Sequence, residues 1–177
     1  MTPRTVAVAL LLTTQVVACT SSRAGEPLPA GSARVATVVD GDTVVLDLSD
    51  GREHVRLLGI DTPETSHPTR PVECFGAEAT ARLTELIPPG SVVRLERDVE
   101  GRDHYGRLLL YLYRADDDLF VNEALVNEGF AVALPVDPND AHRTTFAAAQ
   151  QQARADQRGL WEACGGPDVA LDPLRAR

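Results

Sequence analysis

The chain has 177 residues, carries 17 basic against 26 acidic side chains, and has a formal net charge of −9. That length suits one domain of ordinary size rather than two. The acidic balance excludes the diffuse basic surface that holds duplex DNA, so any contact with nucleic acid has to be made at a local site.

In chain order, residues 1–18, MTPRTVAVALLLTTQVVA, set Arg4 ahead of a continuous apolar run. This is the pattern of a secretory signal peptide, and it is too short to cross a bilayer. VVAC then resembles the lipobox of bacterial lipoproteins, in which the cysteine, here Cys19, becomes the lipidated N-terminus. A cut after Ala24 is the alternative, with small residues at both recognition positions. The expectation is an exported protein, held on the cell envelope by a lipid on Cys19 or secreted if cut after Ala24. Removal of residues 1–18 takes away only Arg4, which leaves 16 basic against 26 acidic residues, a charge of −10. Residues 19–33, rich in Ser, Pro, Gly and Ala, read as a tether.

From residue 34 the pattern is that of a folded domain. Apolar runs at 34–39, 43–48, 53–60, 91–97 and 106–114 predict five strands, the first two joined by a tight turn at Asp40-Gly41. Between the third and fourth, Ala79, Leu83, Leu86 and Ile87 share one helical face, and Pro88-Pro89-Gly90 ends the helix. Two further helices are expected, one over about 119–128 with Gly129 as its cap, one over about 139–158 with Asn139 or Asp140 as N-cap and Gly159 past its end. The expected fold is α+β, a five-stranded OB-type β-barrel with three α-helices spanning 34–164, followed by a loose polar tail over 165–177.

Export makes Cys74 and Cys164 candidates for a disulfide, because paired thiols persist in an oxidising compartment; with Cys19 consumed by lipid the count is even. Two unpaired buried thiols are the alternative. Asp116-Asp117-Asp118 reads as a solvated turn, and His54, His67 and His142 have no zinc-ligand spacing with each other or with Cys74.

Three stretches supply charges that a plain barrel does not require: DGDT at 40–43, RLLGIDTPET at 56–65 and DHYGR at 103–107. Together, and with VNEAL at 121–125, they resemble the staphylococcal nuclease family, in order from about Val35 to Trp161. The resemblance implies a calcium-dependent nuclease that cleaves single-stranded or denatured DNA and RNA, acts as a monomer, and leaves 3′-phosphates. A non-catalytic OB-fold binding module on the envelope is the alternative.

Residue by residue, the resemblance makes Asp42, Asp61 and the Thr62 carbonyl the calcium ligands, a set of hard oxygens to be completed by water. It makes Arg56 and Arg107 phosphate-binding arginines, whose planar fork of donors matches phosphate oxygens. Glu64 becomes the group that positions or deprotonates the attacking water, aimed by Pro63 before it. Tyr105 becomes a substrate contact, with His104 standing where the family commonly has a fixed lysine cation. Each has a plainer reading: a turn for Asp42, a salt bridge to Glu53 or Asp61 for Arg56, surface turns for Arg107 and Glu64. The family's type member carries tyrosines against the nucleotide base just after VNEAL; here that stretch reads FAVALPVDPND, 130–140, with Leu134 and Pro135 near the place.

Overall fold

The computed structural model describes residues 28–65 and 71–171. The expected signal peptide, Cys19, the cut after Ala24, most of the tether, His67 and the last residues of the tail lie outside the described residues.

Strands β1 (Ser32–Val38), β2 (Thr43–Leu48) and β3 (Gly51–Leu57) alternate as their sequences require, sending Val35, Val44, Leu46, Val55 and Leu57 into the core. Burial of one such side chain is worth about 1.5–3 kcal/mol, and a one-residue slip in register would expose the whole set, so the register is strongly specified. With β5 (Val92–Glu96) and β6 (Leu108–Arg114) they close a barrel in the order β1-β2-β3-β6-β5. The five-stranded barrel and α+β class read from the sequence are both present. All barrel neighbours are antiparallel except β3 and β6, which run parallel with Arg56 opposite Leu109. That parallel closure sets the start of β6, and hence Arg107, alongside Arg56.

The strand expected over 53–60 stops at Leu57. Gly59 takes φ +74°, and a Cβ there would overlap the Phe146 ring, so only glycine makes this turn. The chain then re-forms as β4 (Ile60–Asp61), paired not with the barrel but with a short β7 (Val132–Ala133). Wholly buried Asn122 secures the break, its amide donating to Leu58 O at 2.9 Å and its oxygen accepting from Leu112 N at 3.0 Å. This is the work done by the asparagine of VNEAL.

Among the described residues there are four helices rather than three: α1 (Gly76–Leu86), α2 (Val121–Asn127), α3 (Arg143–Ala155) and α4 (Leu160–Ala163). The last expected helix ends at Ala155, short of Gln157 (φ +54°), and the unexpected α4 follows Gly159. Neither Asn139 nor Asp140 is the N-cap; His142 holds that position. Asn139 is buried and spans to the loop at Glu100, accepting from its N–H at 2.8 Å and donating to its carbonyl at 3.0 Å.

Cys74 and Cys164 form the disulfide, which joins the approach to α1 to the end of α4 and closes a separation of 90 residues. In the chain-entropy account such a loop is worth about 4–5 kcal/mol. The described part of the tail is not loose: Cys74 N donates to Val169 O at 2.7 Å and Leu171 N to Val72 O at 2.8 Å. The tail's polar composition hid this, because backbone pairing of this kind needs no particular side chain.

Candidate active site

The turn Asp40–Asp42 folds on itself, Asp42 N donating to the Asp40 carboxylate at 3.0 Å. A Cβ on Gly41 would lie 2.6 Å from Thr62 Oγ1 and 2.9 Å from the Ala79 methyl, so the bare glycine is what lets DGDT approach IDTP. Asp42 is 6 % exposed. Its Oδ2 accepts from Thr62 N and Thr62 Oγ1, both at 3.0 Å, and lies 3.1 Å from Arg56 Nη2; its Oδ1 accepts from Thr43 Oγ1 at 3.1 Å. Burial pushes the Asp42 carboxyl up to about 6, against the pull of Arg56 and with help from Asp40 and Asp61.

Asp61, at the end of β4, places Oδ1 2.7 Å from the same Arg56 nitrogen. Its carboxyl is also raised, by burial first, opposed by Arg56, then by repulsion from Glu64, Asp168 and Glu73. Arg56 thus joins the two carboxylates through one nitrogen while Nη1 donates to the carbonyls of Leu57 at 2.9 Å and Ile60 at 2.8 Å. Of the two salt-bridge partners weighed for Arg56, Asp61 is one it holds; Glu53 instead pairs with Arg102 at 2.8 Å.

Arg107 hangs on a turn. Asp103 accepts from Arg107 Nε at 2.7 Å through Oδ2, and from the backbone N–H groups of Tyr105 at 3.0 Å and Arg107 at 2.9 Å through Oδ1. Burial lifts the Asp103 carboxyl, but these bonds from Arg107 and Tyr105 outweigh it and leave it below the usual value. Arg102 closes the turn from outside, donating to Gly106 O at 2.6 Å. Tyr105 is 75 % exposed, with the His104 ring 3.7 Å from its own.

Arg56, His104 and Arg107 line one cleft of about 410 Å³, walled by Leu58–Ile60, Leu134 and Val136. The structure brings Asp42, Asp61 and Thr62 together around Arg56, and through Arg56 to this cleft. Tyr105 and Glu64 stand outside the lining; Glu64 is near enough to Asp61 to raise its carboxyl, and its N–H donates to Glu73 Oε2 at 2.9 Å. Sequence reading missed Asp103, Arg102 and Glu73. Asp103, four residues before an arginine in a glycine-containing turn, was open to detection; the Glu53–Arg102 pair, 49 residues apart, left no local signal.

The donor set at Asp42 and Asp61 suits a hard cation: two crowded, charge-strained carboxylates on a single guanidinium. Among the described residues no three His, Cys, Asp or Glu side chains converge, so a cation here would take backbone carbonyl and water for its remaining ligands.

The family model described as "Staphylococcal nuclease homologue" matches residues 54–163. The chain is 41% identical over 128 residues to a protein named thermonuclease from Staphylococcus intermedius, covering 72% of this chain and 74% of that one. A thermonuclease from Staphylococcus hyicus is 36% identical over the same shares. Endonuclease YncB of Bacillus subtilis is 35% identical over 153 residues, 82% of this chain and 71% of the relative.

Proposed function

The chain belongs to the staphylococcal nuclease family and is a nuclease, a hydrolase of phosphodiester bonds in nucleic acid; from that premise we propose that it is a calcium-dependent endonuclease that cleaves single-stranded or denatured DNA and RNA to 3′-phosphate products. The observation that carries this reading is the junction at Arg56, where a cleft-lining guanidinium is shared between Asp42 and Asp61. Cation-binding carboxylates and a phosphate-binding fork are therefore one unit.

In this reading Asp42, Asp61 and the Thr62 carbonyl hold calcium, which when bound neutralises charge on the phosphate. Arg56 and Arg107 grip phosphate oxygens and offset the charge that grows as phosphorus becomes five-coordinate. Glu64 orients or deprotonates the water that attacks in line, and the 5′-oxygen leaves. His104 and Tyr105 contact the substrate backbone. Leu134 and Val136, 45 % and 61 % exposed, stand at the cleft in a stretch without tyrosine and offer a base no ring to stack on.

The enzyme works as an exported monomer with its nuclease domain over 34–164, tethered through a lipid on Cys19 or released after Ala24. The Cys74–Cys164 bridge supports export, since disulfides persist in oxidising compartments. The deciding experiment is cleavage of denatured DNA with calcium, with magnesium alone, and with a chelator, followed by the Glu64→Gln variant and end analysis of the products. Activity in calcium alone, lost in Glu64→Gln, is the expected result. Comparable turnover in magnesium would remove the calcium assignment, because Mg²⁺ demands near-ideal octahedral geometry and gives up its waters reluctantly.

A further inference from the structure

Two backbone positions nine residues apart hold each other. Glu64 N–H donates to Glu73 Oε2 at 2.9 Å, and Glu73 N–H donates to Glu64 O at 2.8 Å. Packing alone does not account for a carboxylate spent on the first N–H after Pro63, since such a bond orders a long side chain at an entropic cost. The start of α1 presses on the same peptide groups: a Cβ on Gly76 would lie 2.8 Å from Pro63 O and 3.0 Å from Glu64 O.

Behind Glu73 the chain is fixed from the other side. Val72 O accepts from Leu171 N, Cys74 N donates to Val169 O, and Glu73 bridges to Ala170. Residue 74 is also the one cross-linked to Cys164 at the end of α4. The segment 72–74 is thus a strap clamped between Glu64 on one side and 169–171 on the other.

We propose that Glu73 is a positioning residue for Glu64, and that the Cys74–Cys164 disulfide together with the tail at 169–171 holds Glu73 in register. This rests on the reading of Glu64 as the group that directs the attacking water. A catalytic group moved by about 1 Å can cost on the order of 100-fold in rate, so a strap at this place acts on turnover rather than on binding. Opening the disulfide then lowers activity while the cleft, with Arg56 and Arg107, stays intact.

The test compares steady-state cleavage of a denatured oligonucleotide by Glu73→Ala, Glu73→Gln, Cys74→Ala/Cys164→Ala and Glu64→Gln, at a temperature where circular dichroism shows each folded. The expected result is a fall in kcat of about 10- to 100-fold in Glu73→Ala with KM changed less than about twofold. Glu73→Gln, which keeps an acceptor oxygen, recovers most of the loss. The double cysteine variant shows a smaller loss, again in kcat alone, and decides the matter should Glu73→Ala not fold. Unchanged kcat in Glu73→Ala or in the double variant, beside an inactive Glu64→Gln, overturns this proposal and leaves the proposed function standing. Full activity in Glu64→Gln overturns the proposed role of Glu64 itself.

Discussion

Arg56 and Arg107 line the same cleft from seats of opposite kind. Arg56 belongs to a barrel strand, is 16 % exposed, and its guanidinium is shared among two carboxylates and two carbonyls. Arg107 ends a turn, is 31 % exposed, and leans on the single carboxylate of Asp103. Removing the first leaves buried Asp42 its hydrogen bonds but no opposite charge; removing the second leaves Asp103 held by the backbone N–H groups of its own turn. Two similar side chains can therefore line one cleft while only one of them is also part of what keeps the fold together.

The largest effect is expected at Arg56. Arg56→Ala should cost at least about 100-fold in turnover, as loss of one transition-state donor commonly does. It should also lower unfolding free energy by about 3–5 kcal/mol, the usual result of breaking a buried pair from one side. Urea denaturation beside single-turnover kinetics measures both. Arg56→Lys should restore little activity, because a point charge does not reproduce the fork.

Arg107→Ala should match that loss of turnover at a stability cost below about 1 kcal/mol, in the range of partly exposed pairs. A melting shift equal to that of Arg56→Ala would abolish the contrast between the two seats.

The buried seat should also be the pH-sensitive one. The Asp42 carboxyl is raised from 3.8 to about 6, so the folded state binds the proton more tightly than the unfolded chain. Its contribution to stability in calcium-free protein is therefore greatest below the unfolded value and declines as pH rises through the folded one. If calcium is held at Asp42 as proposed, it competes with that proton, and its affinity should fall roughly tenfold per pH unit below about 6. Calorimetric titration at pH 5 and pH 7 checks the sign; an affinity that did not change would separate Asp42 from the cation.

The smallest effect belongs to the open wall of the cleft. Leu134→Tyr should tighten short oligonucleotides by about 10-fold or more, since a stacked base is worth on the order of 1–3 kcal/mol, with kcat nearly unchanged. Submicromolar binding by the unmodified protein would mean that another residue already stacks the base.

Much of this was legible in the sequence because it is local. Apolar runs along 43–48 and 106–114 mark strands, and DGDT, RLLGIDTPET and DHYGR keep the candidate groups within a few residues of one another. The expected export and a count of thiols made Cys74 and Cys164 candidates for a bridge, and the fold joins them. What the sequence left undecided depends on groups far apart in the chain meeting at one point. Nothing near Arg56 says that Asp42, fourteen positions earlier, rather than Glu53, shares its charge; the β2–β3 register, which sets Thr43 opposite Arg56 and lets Leu57 N donate to Asp42 O, decides it. The same holds for Asn139, which reads as a helix cap but is drawn off by Glu100, and for Glu73, whose partner is a backbone N–H. Hydrogen bonds to the main chain carry no side-chain signature at the main-chain position, and only the folded geometry chooses among the many groups able to make them.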